Sequence, residues 1–186
     1  MSYIAVIYDS KYGSSKQYAT WIAQSLNADL MMKKQVNLHL LSKYEIIVYG
    51  GGIYDNKLSG INLLTENIYY LKEKPVAIFA CGLSEHCIDN VKEIESISKE
   101  VDMLKLFSFK GAMDFEKLDF IDKLKMKSIY KKLSKKESLN DEEKALLETH
   151  NTSTNLIDKN SINELVSYVE SKKSFVEEKV NVKQNV

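Results

Sequence analysis

The sequence predicts an α/β domain, doubly wound around a five-stranded parallel sheet, and three observations point there. Short, almost wholly apolar runs recur at Tyr3–Tyr8, Glu45–Tyr49 and Val76–Ala80. Helical periodicity fills the intervals between them. Each run ends in turn chemistry: Asp9-Ser10, then Gly50-Gly51-Gly52, then Cys81-Gly82. Runs without polar alternation read as strands buried on both faces, the habit of parallel sheets. Alternating strands and helices build βαβ units with right-handed crossovers.

Taken in order, the first strand leads to a helix marked by Ala19, Ile22, Ala23 and Leu26 at i, i+3, i+4 and i+7. Ser14 and Gln17 stand at capping-box spacing at its start. Asp29–Met32 is a weaker second strand and Glu45–Tyr49 the third. Ile61, Leu64, Ile68 and Leu71 then mark a helix that must stop before Pro75. After the Val76–Ala80 strand come a helix through Val91–Val101 and a weaker fifth strand, Leu104–Phe109. Ser161 and Glu164 form a second capping pair, opening a last helix that runs to about Lys173. Residues 1–173 therefore read as one domain, followed by a polar tail, 174–186, expected to fray. One stretch, 112–158, breaks the alternation as an insertion. Within it Met126, Ile129, Tyr130 and Leu133 share a helical face, and Lys123, Lys125, Lys127, Lys131, Lys132, Lys135 and Lys136 crowd the remainder.

Composition narrows the function. A chain of 186 residues can bury a sizeable core without disulfides or a structural metal. With 26 basic against 26 acidic residues, it is not built to neutralise nucleic-acid phosphates. Every basic residue is lysine, which excludes mechanisms that need an arginine finger or a bidentate guanidinium. No apolar run approaches the length of a membrane span, and Met1-Ser2-Tyr3-Ile4 does not resemble a signal peptide, so a cytoplasmic location is expected. Cys81, His86 and Cys87 could offer three metal ligands, but no fourth stands at a familiar spacing and no metal is expected. Cys81 reads as a small hydrophobe ending a strand, and Cys87 as a loop residue. No nucleophile–base pair stands out, so no catalytic side chain is assigned.

In open parallel sheets the ligand sits beyond the carboxyl ends of the strands, where strand order reverses. The loop there, Asp9-Ser10-Lys11-Tyr12-Gly13-Ser14-Ser15-Lys16, combines a glycine with three hydroxyls at a strand-to-helix turn. Helix dipole and unpaired amides make such a turn an anion site. Ser14 is expected to cap the helix in either case. The loop is neither G-x-G-x-x-G nor a Walker sequence. A phospho-receiver is excluded because the third strand ends in Gly50-Gly51 and not in an acceptor aspartate.

Ser10, Tyr12, Gly13, Ser14 and Ser15 stand in the hydroxyl-rich pattern [ST]-x-[TSY]-G-x-[ST], and here the chain resembles the flavodoxin family. The resemblance implies a flavodoxin-like sheet of order 2-1-3-4-5 and noncovalent FMN whose phosphate rests in this loop without arginine. Gly50-Gly51-Gly52-Ile53-Tyr54 resembles the first isoalloxazine loop and Cys81-Gly82-Leu83-Ser84-Glu85-His86 the second. Gly51, Gly52, Ile53, Tyr54, Cys81, Gly82, Leu83 and His86 are thereby implied to hold the ring, with Tyr54 its stacking partner and His86 a weaker one. Many flavodoxins place a tryptophan in the first ring loop; the single one here, Trp21, lies in the first helix.

The family implies a redox role, passing one or two electrons through the flavin. Electron-carrier flavodoxins are typically acidic, whereas this chain is neutral with a basic insertion. Gly111-Ala112-Met113-Asp114-Phe115 and the segment from Phe120 to Lys127 resemble the branch that includes menaquinone-dependent protoporphyrinogen IX dehydrogenase. Where that enzyme has arginines in this region, the chain has lysine or neutral residues. An FMN-dependent oxidoreductase of that kind is the leading reading. A non-enzymatic carrier and a cofactor-free interaction module are the alternatives. Expected partners are a redox protein, a quinone or another small molecule, and not nucleic acid. The lysine-rich helix spanning 119–136 has two readings: contact with an anionic membrane, or an apolar stripe packed on the domain with solvated lysines. The packed reading is favoured.

Overall fold

A computed structural model describes residues 3–54, 57–89, 91–139, 141–150 and 152–184; Met1, Ser2 and the last two residues of the polar tail lie outside it. Strands β1 (Ile4–Asp9), β2 (Asp29–Met32) and β3 (Ile46–Tyr54) form one sheet with β5 (Val76–Gly82) and β6 (Leu104–Lys110). Their order is β2-β1-β3-β5-β6, all parallel, the doubly wound order expected. The two-residue β4 (Lys57–Leu58) folds back antiparallel on the end of β3.

Both faces of the sheet are covered. Ile4, Val6, Tyr8, Ile46, Val48 and Phe79 point toward helices α1 (Ser14–Leu26) and α7 (Asn163–Gln184). Ala5, Ile7, Ile47, Tyr49, Ile78 and Ala80 face the short helices α2 (Leu38–Leu41) and α3 (Asn62–Thr65) together with α4 (Lys92–Glu100). Alternate residues of one strand thus enter two separate cores, which is why the central strands β1, β3 and β5 carry no polar alternation.

Local competition redraws several helices. The stretch from Ile61 to Leu71 is not one helix: α3 ends at Thr65 and a 3-10 turn covers Ile68–Tyr70. Asn67 Nδ2 donates to the Leu63 carbonyl at 2.8 Å, offering the backbone an alternative to the helical ladder. The Ser161–Glu164 capping box does not form. Asp158 caps a 3-10 turn over Lys159–Ile162 ahead of α7, while Glu164 reaches Lys105 Nζ at 2.8 Å. Helix α7 continues to Gln184, past the end expected at Lys173.

The insertion leaves and returns at one place. Strand β7 (Ala112–Asp114) pairs antiparallel with β8 (Ser153–Asn155), a pairing of distant short segments that no local pattern announces. Between them lie α5 (Phe120–Leu133) and α6 (Asp141–Glu148). Tyr130 and Leu133 of α5 are buried, Met126 and Ile129 half-buried, so this stripe packs inward. Tyr130 shares a buried hydrogen bond with Thr149, 3.0 Å between hydroxyls. Tyr18 of α1 locks the insertion to the sheet. Its hydroxyl donates to the Lys110 carbonyl at 2.7 Å and accepts the Asp158 N–H at 3.1 Å.

Candidate functional site

The carboxyl ends of the central strands lie side by side. Asp9 stands opposite Gly51, Gly52 opposite Cys81, and Gly82 opposite Lys110. Three loops therefore meet on one edge of the sheet.

The first loop enters α1 through Gly13, whose φ of 104° lies in the left-handed region. Nothing stands within 4 Å of a Cβ placed there, so the demand for glycine is conformational and not steric. The ladder of α1 opens with the Gln17 N–H donating to the Gly13 carbonyl at 2.9 Å. The amides of Ser14, Ser15 and Lys16 precede it and have no acceptor within the helix. Ser10 Oγ accepts the Gly13 N–H at 3.1 Å. Ser14 is not the cap expected of it: Gly13 occupies the N-cap, and Ser14 Oγ accepts the Ala112 N–H at 3.0 Å. A backbone amide from the insertion thus outcompetes the local one. Ser15 is buried beside the Cys81 thiol.

Lys11 and Tyr12 turn away from the helix and meet the insertion. Lys11 Nζ lies 2.7 Å from Asp119 Oδ2 and 2.6 Å from Asp122 Oδ2, and the Tyr12 hydroxyl donates to Asp122 Oδ2 at 2.5 Å. Asp119 also caps α5 by accepting the Asp122 N–H at 2.8 Å. The ammonium holds both carboxyls below the usual aspartate range, and the two carboxylates raise the lysine in return. Sequence reading missed this contact. Asp119-x-x-Asp122 signals a helix start, but nothing local points to a lysine 111 positions away.

The second loop corrects an expectation. Gly50, Gly51 and Gly52 do not form a turn but lie inside β3, which runs to Tyr54. A Cβ on Gly50 would sit 1.9 Å from Phe79 Cζ, so the ring of the neighbouring strand occupies that space. The same test on Gly51 and Gly52 meets the Ser59 carbonyl at 2.6 Å and the Tyr54 ring at 2.9 Å. These glycines receive the chain's own groups. Ser59 Oγ donates to Asp9 Oδ2 at 2.7 Å and the Tyr49 hydroxyl to the Ser59 carbonyl at 2.6 Å, fixing the returning hairpin against β1. Ile53 is half-buried and Tyr54 is 38% exposed. The Tyr54 ring centroid lies 6.4 Å from that of Tyr12 with the planes at 60°, and burial pushes its phenol up to about 12.

In the third loop Cys81 and Gly82 are also still in strand, at the end of β5. Burial pushes the Cys81 thiol up to about 12, so it is a neutral packing group near pH 7. The Gly82 carbonyl accepts the Gly111 N–H at 2.7 Å, tying this loop to the start of the insertion. Leu83 is half-buried. Cys87 lies in the loop, as expected, and is fully buried there with its thiol 3.5 Å from the Ala80 carbonyl. His86 is solvated, its side chain 81% exposed and its Nδ1 3.4 Å from Asp89 Oδ2. The edge therefore brings together Ser10, Tyr12, Gly13, Ser14 and Ser15 with Gly51 to Tyr54 and Cys81 to Leu83, while His86 stands in water.

Two cavities lie elsewhere, one of about 540 Å³ lined by Ile68, Tyr69, Lys72 and Lys99, the other of about 290 Å³ between α5 and α6. Donor chemistry, not concavity, singles out the three-loop edge. No group of three His, Cys, Asp or Glu able to hold a metal occurs among the described residues, and no described helix is long and apolar enough to cross a membrane.

The family model of the flavodoxin domain matches residues 5–140, from β1 through α5. The chain belongs to the flavodoxin domain family. Among solved structures, a flavodoxin from the domain Archaea is 20% identical, covering 57% of this chain and 83% of its own, with a TM-score of 0.47. Two-electron reduced Megasphaera elsdenii flavodoxin is 16% identical, covering 57% and 85%, with a TM-score of 0.49. Oxidised Flavodoxin 2 from Bacillus cereus is 20% identical, covering 56% and 83%, with a TM-score of 0.42. No curated protein matches. The flavodoxin-domain match takes in the sequence of all three loops and reaches into the insertion, well past the last parallel strand.

Proposed function

We propose that this flavodoxin-domain protein binds FMN noncovalently at the carboxyl edge of its sheet and passes electrons between partners through it. The observation that carries the reading is the turn from Ser10 to Lys16. It offers the unpaired amides of Ser14, Ser15 and Lys16 at the positive end of a 13-residue helix. Ser10 and Ser14 each accept a backbone N–H, which leaves both hydroxyl protons available to an anion. This donor set fits a phosphate monoester and requires no arginine.

Ring contacts would come from Tyr54, Ile53 and Leu83 and from backbone groups of the second and third loops. When bound, the isoalloxazine supplies one- or two-electron chemistry. The protein's part is to orient it. Burial keeps the Tyr54 phenol and the Cys81 thiol protonated near neutrality.

The finer reading is an oxidoreductase of the protoporphyrinogen dehydrogenase kind, acting with a quinone. It is supported by the Gly111–Phe115 segment and by the Ser14–Ala112 contact that sets the insertion beside the loop. The visible spectrum of the purified protein, with its cofactor released by heat and identified, tests the first reading. Two flavin bands and stoichiometric FMN are expected; a colourless protein that fails to take up added FMN would overturn it. Turnover of protoporphyrinogen with a quinone acceptor tests the second. Flavin-loaded protein without turnover would leave an electron carrier.

A further inference from the structure

We infer that the outward face of α5 is a docking surface for an anionic lipid bilayer. Helix α5 is apolar on two sides. Its inward stripe ends in buried Tyr130 and Leu133, yet Phe120, Ile121 and Leu124 on the opposite side are 75%, 65% and 52% exposed. No other five consecutive positions among the described residues expose three large apolar side chains.

The pattern around these three residues names the occupant. Phe120, Leu124, Lys127 and Lys131 follow one another at i, i+4, i+7 and i+11; Ile121, Lys125, Ser128 and Lys132 form the adjacent row. The face is therefore apolar in its first turn and cationic beyond. Lys125, Lys127, Lys131, Lys132 and Lys135 carry no ion pair among the described residues. The two carboxylates at this end of the helix, Asp119 and Asp122, are both engaged by Lys11 and turned toward the first loop, leaving one net negative charge there. Lys136 is paired with Glu143, and Lys123 donates to the Glu116 carbonyl at 2.8 Å. Surfaces that bind proteins are enriched in Arg, Tyr and Trp and depleted of Lys. This one has lysines and no arginine, with Phe, Ile and Leu at its centre. On such a face lysine stems can lie along the apolar boundary while their ammonium groups reach anionic headgroups.

Lipid binding does not depend on the flavin reading; its consequence does. The Lys11 and Tyr12 contacts hold the first turn of α5 against the Ser10–Ser15 turn. A bilayer on this face would lie next to the proposed flavin edge, within reach of a lipid-soluble acceptor.

The test is co-sedimentation of the full chain with vesicles of phosphatidylcholine alone or mixed with phosphatidylglycerol, at low and high salt, reading protein in the pellet. Binding to the anionic vesicles at low salt and its loss at high salt are expected. Lys125→Glu with Lys132→Glu should weaken binding by roughly 25-fold or more, at about five-fold per lysine removed. Phe120→Ser with Ile121→Ser and Leu124→Ser should lower it at least ten-fold. All five positions are solvent-facing, so thermal unfolding should stay unchanged in both variants. Absence from the anionic pellet at low salt, or a triple serine variant that binds like the parent, would overturn the inference. So would loss of affinity for an acidic ferredoxin probe in the lysine variant without vesicle binding, which would assign the face to a protein. The pellet is read as protein, so the result stands whether or not flavin is bound.

Discussion

The sheet and the insertion are held together by different physics. From Ile46 to Gly52 every residue of β3 is buried, and each strand contributes to a core on both sides. The insertion has a small core of Phe115, Tyr130, Leu133 and Thr149. It is attached to the sheet by polar contacts from far along the chain: Ser14 to Ala112, Tyr18 to Lys110 and Asp158, Lys11 to Asp119 and Asp122. Damage to the first region should therefore unfold the molecule. Damage to the second should release the insertion and leave the sheet standing.

Gly50→Val tests the first half most severely. Its side chain would enter the space of the Phe79 ring, and a loss of about 3 kcal/mol or more is expected, a fall in Tm of roughly 6–12 °C for a chain of this size. Combining it with Phe79→Leu should cost less than the sum of the two single changes. Additive costs would show that the ring is not what excludes a side chain at position 50.

Tyr18→Phe comes next, because it strips a partner from both the Lys110 carbonyl and the Asp158 amide. About 2 kcal/mol should be lost. Hydrogen exchange should speed up at 152–158 more than in β1 or β3. Uniform acceleration would mean that the insertion and sheet unfold as one unit.

A smaller, local effect is expected at Lys11. The depressed Asp119 and Asp122 values make their contribution to the contact complete above the unfolded aspartate range and lost as pH falls through the lower folded values. The raised Lys11 value makes its part present below the ordinary lysine range and lost only as pH rises through the folded value. Exchange protection of the first turn of α5 should thus persist from mildly acidic to strongly alkaline solution and fall below about pH 4. Asp122→Asn should lower that protection at pH 7 and flatten its acid limb with little change in Tm. An unchanged acid limb would contradict the assignment.

The smallest effect is that of His86→Ala. A side chain in solvent should change stability by less than about 0.5 kcal/mol and leave FMN affinity within about two-fold. A large loss of affinity would restore the stacking role that the family resemblance gave it.

This contrast also explains what could be read in advance. Strands buried on both faces announce themselves as apolar runs, so β1, β3 and β5 were legible; the edge strands β2 and β6 are only partly buried and read more weakly, and the strand order came from the family resemblance. The Gly13 turn was legible too, because glycine and hydroxyls at a strand-to-helix junction have local meaning. What stayed hidden depends on partners brought in by the fold, most of them distant in sequence. Gly50 to Gly52 resemble a turn until Phe79, Ser59 and Tyr54 are seen filling their space. Ser14 looks like a cap until Ala112 claims its oxygen. The β7–β8 pairing joins segments about forty residues apart, too short for either to show a period.

The central claim is that the Ser10–Lys16 turn is a phosphate cradle, and a titration comparing FMN with riboflavin tests it most directly. The two ligands share the ring and differ in the phosphate. Quenching of flavin fluorescence should show FMN bound at least about 100-fold more tightly, a difference of about 2.7 kcal/mol that charge-assisted hydrogen bonds from the turn can supply. Gly13→Ala, which strains the left-handed residue and turns the amides away, should erase most of that preference while riboflavin affinity holds. Equal affinity for the two ligands, or a preference that survives Gly13→Ala, would contradict the account.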